Sequence, residues 1–290
     1  MLNLLVQSSI NGISIGTLYG LVAVGLSLIF GVMKVLNVAY GEFVVLGGYI
    51  SFWLLTFFHI DPFLSIPLVA ILLFIVGSIL YKTILANVSS MQEDLRLKNS
   101  LLITFGLSLM TPQIFTAVWT ADVRSITPAY SGTSLAIFDY RIGFIPLLSI
   151  ITCLIIVFAL QLFLNKTYFG KSVVATSQSW KGARIVGINV DRTYLITFGI
   201  GLAIAGIAGV MIGLIQSLTP VVGMHWTLKA LIVVVLAGMG NLWGALIAGI
   251  ILGIAEAVGV IYMGQYASVI GLVFFLLILM FRPQGLFGKS

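Results

Sequence analysis

Charge is what this chain has least of. Its 290 residues include 14 basic and 8 acidic ones, so 8% are charged, against about 25% in a soluble domain. So few charges cannot cover a soluble fold, and a mean hydropathy of +1.20 makes lipid the main solvent. Residues 1–33 carry no charged side chain, which excludes the basic n-region of a cleavable signal peptide. Cysteine is almost missing: Cys153 stands alone in an apolar run, so no internal disulfide forms. Histidine occurs twice, as His59 and His225, both expected at outer helix ends as interfacial residues. No His, Cys, Asp and Glu set has metal-ligand spacing. No Ser–His–acid set or phosphate loop stands in a suitable context, and Gly238-Met239-Gly240 lacks the strand–helix surroundings of a dinucleotide site. We therefore expect no enzyme chemistry, no cofactor and no metal. The two carboxylates inside apolar runs, Glu42 and Glu256, are isolated and make a weak proton relay. The sequence pI near 9.5 does not signal nucleic acid, because the basic residues are scattered through loops.

What is present is length of apolar sequence. Runs cover 10–32, 37–58, 62–85, 100–120, 144–164, 194–215, 242–261 and 266–281, with a shorter one at 226–237. A spanning helix needs about 20 such residues, and backbone groups in lipid must be satisfied within their own segment. Alternating short strands of a lipid-facing barrel are not seen. The reading is all-α: a polytopic membrane helical bundle with about eight transmembrane helices plus a short or re-entrant helix, in one domain over 1–290. With the C-terminus placed in the cytoplasm, Lys34, Lys82, Arg96, Lys98, Lys166, Lys171, Lys181, Arg184, Arg192, Arg282 and Lys289 fall inside. Only Arg124, Arg141 and Lys229 fall outside, a strong positive-inside bias. This holds if 226–237 crosses or nearly crosses. The connector 121–143 is the largest outer loop, either a small hairpin around 135–140 or irregular.

Small residues recur at four-residue spacing: Gly12, Gly16 and Gly20; Ala205, Gly209 and Gly213; Gly240, Gly244 and Ala248; Gly249, Gly253 and Ala257. They predict close helix packing and place the runs at 10–32, 194–215 and 242–261 at the centre. A sharper feature is Leu36-Asn37-Val38-Ala39-Tyr40-Gly41-Glu42, where three polar residues enter an apolar run beside a glycine. It predicts a polar pathway lining, a helix start capped by Asn37, or both. A faint repeat relates 28–49 to 234–254, each an apolar run, a Gly-rich break with an Asn (Asn37, Asn241), then a Gly-spaced helix. Glu256 and Lys229 could pair, but snorkelling of Lys229 to the outer interface is the expectation.

The polar island at 165–193 holds five of the 14 basic residues, Lys166, Lys171, Lys181, Arg184 and Arg192, against one acid, Asp191. From about 172 to 187 it predicts one short amphipathic helix bounded by glycines. Trp180 and Ile185 would fill an apolar groove on a soluble partner while Lys181 and Arg184 meet acids at its rim. A helix lying on lipid headgroups is the alternative.

Several stretches resemble the permeases of branched-chain amino acid ABC importers, the LivH type. They are Gly170-Lys171-Ser172, Ala183 through Arg192, Leu36 through Phe43, Leu236 through Asn241 with Gly244-Ala245, and the ending Arg282-Pro283-Gln284-Gly285-Leu286-Phe287-Gly288. They occur in order and span nearly the whole chain. Tyr40 stands where such permeases often carry His, and 178–182 departs from their usual acidic, Ala-rich stretch. The resemblance implies a permease subunit in a prokaryotic inner membrane. It would pair with a second related permease and two ATP-hydrolysing subunits, fed by an extracytoplasmic solute-binding protein. It also implies that 165–193 is a cytoplasmic coupling loop, with Gly170, Lys171, Ser179, Trp180, Lys181, Gly182, Ala183, Arg184 and Gly187 at the ATPase. Asn37, Tyr40, Gly41, Glu42 and Asn241 would line the substrate pathway, the first cluster near the cytoplasmic mouth. The same family includes permeases for urea, short amides and aromatic acids. A transporter or channel working without an ATPase, or a membrane-embedded structural subunit, is the reading from another class.

Overall fold

The computed structural model describes residues 2–137, 140–282 and 285–287; Lys289 and three residues of the family-like ending lie outside them. The apolar runs are helices: α1 (Leu2–Met33), α2 (Tyr40–Phe58), α3 (Pro62–Leu80), α4 (Ala86–Ser89), α5 (Glu93–Trp119), α6 (Phe144–Lys166), α7 (Tyr168–Gln178), α8 (Trp180–Ile185), α9 (Val190–Ile215), α10 (Gly223–Ala237), α11 (Leu242–Met263) and α12 (Ala267–Phe281). A π-helical turn, Tyr81–Leu85, joins α3 to α4. Among the described residues, seven helices are long and apolar enough to cross a membrane. The 15-residue α10 and α12 are each about 22 Å long, so the short element expected at 226–237 is present. The connector 121–143 forms a hairpin, β1 (Ser134–Ile137) antiparallel to β2 (Tyr140–Gly143), with Ser134 opposite Gly143.

Helices α1, α5, α9 and α10 start earlier than the apolar runs suggest, and for two of them the reason is local. The α9 start moves back because the Asn189 side chain accepts the Arg192 N–H at 3.0 Å and caps the helix there. The α5 start moves back through a charged stretch, Glu93 to Lys98, because Arg96 is buried and held by carbonyls.

The core is built on α1, α9 and α11. Gly12, Gly16 and Gly20 bring α1 onto Gly249, Gly253 and Leu246 of α11; a Cβ added at Gly16 would sit 2.7 Å from the Gly249 carbonyl oxygen. The glycine spacing thus marks a real interface, as lipid-embedded packing requires. Helix α9 is buried along nearly its whole length, between α1, α2 and α3. Helices α3, α5, α6 and α12 turn Leu64, Leu109, Phe158 and Leu276 outward, the surface that lipid or a partner covers. Most basic residues, from Lys34 to Arg282, gather at one end of the bundle, called here the basic end.

Candidate translocation site and coupling surface

Helix α1 stops at Met33, and Lys34 leaves it with a left-handed φ of +53°. Residues 34–39 are not helical. They turn back into the bundle, and α2 starts from inside it. Two contacts give the depth. Val38 meets Thr104, eleven residues into α5; that is about 16 Å at 1.5 Å per residue. The Tyr40 hydroxyl reaches Gly201, eleven residues into α9. The expected place for this motif, at the mouth of the basic end, is therefore corrected: the break lies roughly mid-bundle. Asn37 is not a cap either. Ala39 holds the cap position, and α2 has no side-chain cap.

Freed backbone groups inside a membrane need partners, and two helices, α5 and α10, supply them. Thr104 Oγ1 of α5 accepts the Val38 N–H at 3.0 Å and lies 3.1 Å from the Leu36 carbonyl. Thr227 Oγ1 of α10 accepts the Gly41 N–H at 2.8 Å. Tyr40 donates its hydroxyl to the Gly201 carbonyl of α9 at 3.0 Å. Gly41 is obligatory, since a Cβ there would strike the Gly223 carbonyl.

Two buried side chains of this stretch are not served in the same way. Asn37 is 1% exposed and Glu42 0% exposed, and neither side chain has a hydrogen-bond partner among the described residues. The Glu42 carboxyl rests against Gly223, the first residue of α10, where the helix dipole is positive. An unpaired buried carboxyl is costly, and such groups inside membranes mark function.

Asn241 does not join this cluster. It caps α11, its side chain accepting the Gly244 N–H at 2.9 Å. It lines a separate cleft of about 620 Å³ at the basic end, shared with Lys34 and Gln178. The family-like ending meets this turn: Leu286 N–H donates to the Leu236 carbonyl at 2.7 Å, and Phe287 N–H to Ala237 at 3.2 Å.

The snorkelling expected of Lys229 is also corrected. Lys229 is buried and paired with Glu256, which accepts the Tyr19 hydroxyl at 3.0 Å. This ties α10 to α11 and α1. Its tail points into the bundle because a matched carboxylate waits there. His225 sits in the first turn of α10, exposed, with its ring edge-on to Trp226. Since α10 begins beside Glu42, His225 is not at an outer helix end.

The island folds as two helices, not one. Thr167 caps α7 by accepting the Gly170 N–H at 2.9 Å, and Ser179, extended at φ −157°, caps α8 by accepting from Gly182 at 3.1 Å. Gly187, at φ +85°, ends the segment. Gly170 lets α7 lie on Phe163 and Leu164 of α6, and Ala183 is buried. Lys171, Ser179, Lys181, Arg184 and Gly187 are exposed, and Gly182 is half-buried. The two expected groove fillers separate. Ile185 is 85% exposed and Val186 74%, whereas Trp180 is half-buried and faces its own bundle, with Arg96, Lys181 and Arg184 around its ring.

A family model described as branched-chain amino acid transport system, permease component, matches residues 8–281. The chain belongs to this family. It is 27% identical over 293 residues to the high-affinity branched-chain amino acid transport system permease protein BraD of Pseudomonas aeruginosa, covering 98% of this chain and 95% of that protein. It is 29% identical over 304 residues to LivH of Escherichia coli K12, with the same coverage. It is 28% identical over 279 residues to a probable LivH permease of Methanocaldococcus jannaschii, covering 92% and 88%. The chain is thus a multi-pass membrane permease, a transport component.

Residue type alone hid Thr104, Thr227, Tyr194 and Arg96. Single threonines in apolar runs are ordinary. One signal was available: Ser100, Thr104 and Ser108 recur at four-residue spacing on α5 and form a buried polar stripe.

Proposed function

We propose that this chain is a permease subunit of an ATP-driven importer in a prokaryotic inner membrane, moving branched-chain amino acids or a closely related small solute. The end-to-end family match carries this reading. A second permease, two cytoplasmic ATPase subunits and an extracytoplasmic binding protein complete the machine. The basic end faces the cytoplasm, and α7–α8 present Ile185 and Val186, flanked by Lys181 and Arg184, to an ATPase groove. The break at 34–39 lines the pathway, with Asn37, Tyr40 and Glu42 sealed in the state described here. Nucleotide favours one of two bundle states by binding it better, and the seal opens in the other.

Co-purification of an ATPase subunit, with leucine uptake by the reconstituted complex, tests the assignment. A complex that recovers no ATPase sinks it. A cysteine replacing Lys181 should react with impermeant reagents from the cytoplasmic side, and one replacing Ser131 from outside; the reverse inverts the orientation. Glu42→Gln should lower uptake about tenfold, the size of one charged hydrogen bond from the solute to Glu42 in the opened pathway, with ATPase recovery intact. Wild-type uptake in that variant removes Glu42 from the pathway.

A further inference from the structure

Arg96 is a buried cation, 2% exposed, with no carboxylate paired to it among the described residues. A guanidinium out of water without a counter-charge is costly, so other groups must hold it. Its Nη1 donates to the Met33 carbonyl at 3.0 Å and to the Tyr194 hydroxyl at 3.2 Å. Its Nη2 donates to the Met91 carbonyl at 3.0 Å. Two rings flank it, Tyr194 and Trp180, each with its centroid 5.8 Å away, within the range of cation–π attraction.

The positions of these partners matter more than their number. Met33 is the last residue of α1, where helical hydrogen bonding ends and the break begins. A cation there also complements the helix dipole. Eight residues further along α5, on the same face, Thr104 holds Leu36 and Val38. Arg96 and Thr104 therefore fasten both ends of the break to one helix face. Trp180 brings α8 to the same guanidinium, from a helix whose outer surface, Ile185 and Val186, is free for a partner. A side chain that served only to cap α1 would need the Met33 carbonyl, not a ring from α8.

We infer that Arg96 is a positioning residue that passes movement of α8 to the mid-bundle break. Displacement of α8 shifts Trp180 against Arg96. Arg96 shifts the Met33 end of the break, and with it the seal over Asn37 and Glu42. Two faces of α8 then have two tasks: Ile185 and Val186 grip, and Trp180 transmits. This inference rests on the import reading above.

Uptake of leucine and hydrolysis of ATP are measured in the same proteoliposomes, with the full complex and its binding protein. Trp180→Ala should recover wild-type amounts of ATPase but lower leucine moved per ATP about tenfold, the scale of an inter-site coupling. Trp180→Phe keeps a ring face and should restore most of the ratio. Arg96→Lys keeps a cation for the Met33 carbonyl but loses the planar surface that stacks, so it should uncouple while α1 stays capped. An unchanged ratio in Trp180→Ala overturns the inference. Loss of the ATPase from Trp180→Ala also overturns it, by making Trp180 a docking residue. Should Arg96→Lys fail to fold, the Trp180 pair decides alone. A wild-type complex that moves no leucine identifies failure of the import reading itself, before any variant is compared.

Discussion

Two breaks in this bundle use the same residues and end differently. Both follow an apolar helix, contain one asparagine with a glycine in or just after the break, and lead into a Gly-spaced helix. At 238–241 the turn is supported largely from within: Gly238 and Gly240 take left-handed φ, Asn241 caps α11, and the Gly240 N–H donates to Ser27 Oγ of α1 at 3.1 Å. At 34–39 the chain reaches into the bundle, and its backbone depends on side chains from α5 and α10. There Asn37 and Glu42 are left without partners. The first break is a closed structural joint. The second is held in place by its neighbours, and the side chains of Asn37 and Glu42 keep unused hydrogen-bonding capacity. Helix α10 connects the two, starting beside the Glu42 carboxyl and ending just before Gly238.

The largest effect should come from unfastening that connecting helix. Lys229→Met leaves Glu256 buried without its cation, at a cost of about 3–5 kcal/mol, visible as lost thermal stability of the purified complex. Replacing both partners, Lys229→Met with Glu256→Leu, should recover most of it. If the double variant is as unstable as the single one, the pair is not what holds α10. Next is Gly41→Ala, which pushes α2 off Gly223 and costs about 1–3 kcal/mol by overpacking, with leucine uptake lost. An alanine tolerated there would mean the break is looser than its contacts indicate.

Thr104→Val removes the partner of Val38 and Leu36 while keeping shape. Its expected cost is about 1–2 kcal/mol, and uptake should fall further than that destabilisation explains. Asn241→Ala removes a cap, about 1 kcal/mol, and a long contact to the Phe287 carbonyl, with uptake near wild type once expression is matched. The comparison between the breaks fails if Asn241→Ala impairs uptake as much as Thr104→Val.

Much of the helical layout was readable from composition. Apolar runs and glycine spacing name the helices and place α1 and α11 together, because both signals come from the local chain and its lipid solvent. The break was readable as a motif, Asn37 to Glu42, but not as a depth. Depth depends on Thr104 and Tyr40 finding partners 66 and 161 residues away in sequence. Trp180 was readable as an anchor but not as an inward one, since nothing near it in sequence reports that Arg96 lies beneath its ring.

Lipid solvation and helix periodicity act on each segment separately, so the sequence by itself determined a helical membrane bundle, its basic end and the family it belongs to. Tertiary structure decided three things. Lys229 points inward to Glu256, Asn37 stays unpaired where Asn241 caps a helix, and Trp180 faces its own chain while Ile185 faces out. Each turns on whether a distant segment brings a partner to a buried polar or aromatic group, and such pairing costs or stabilises only once the segments have met.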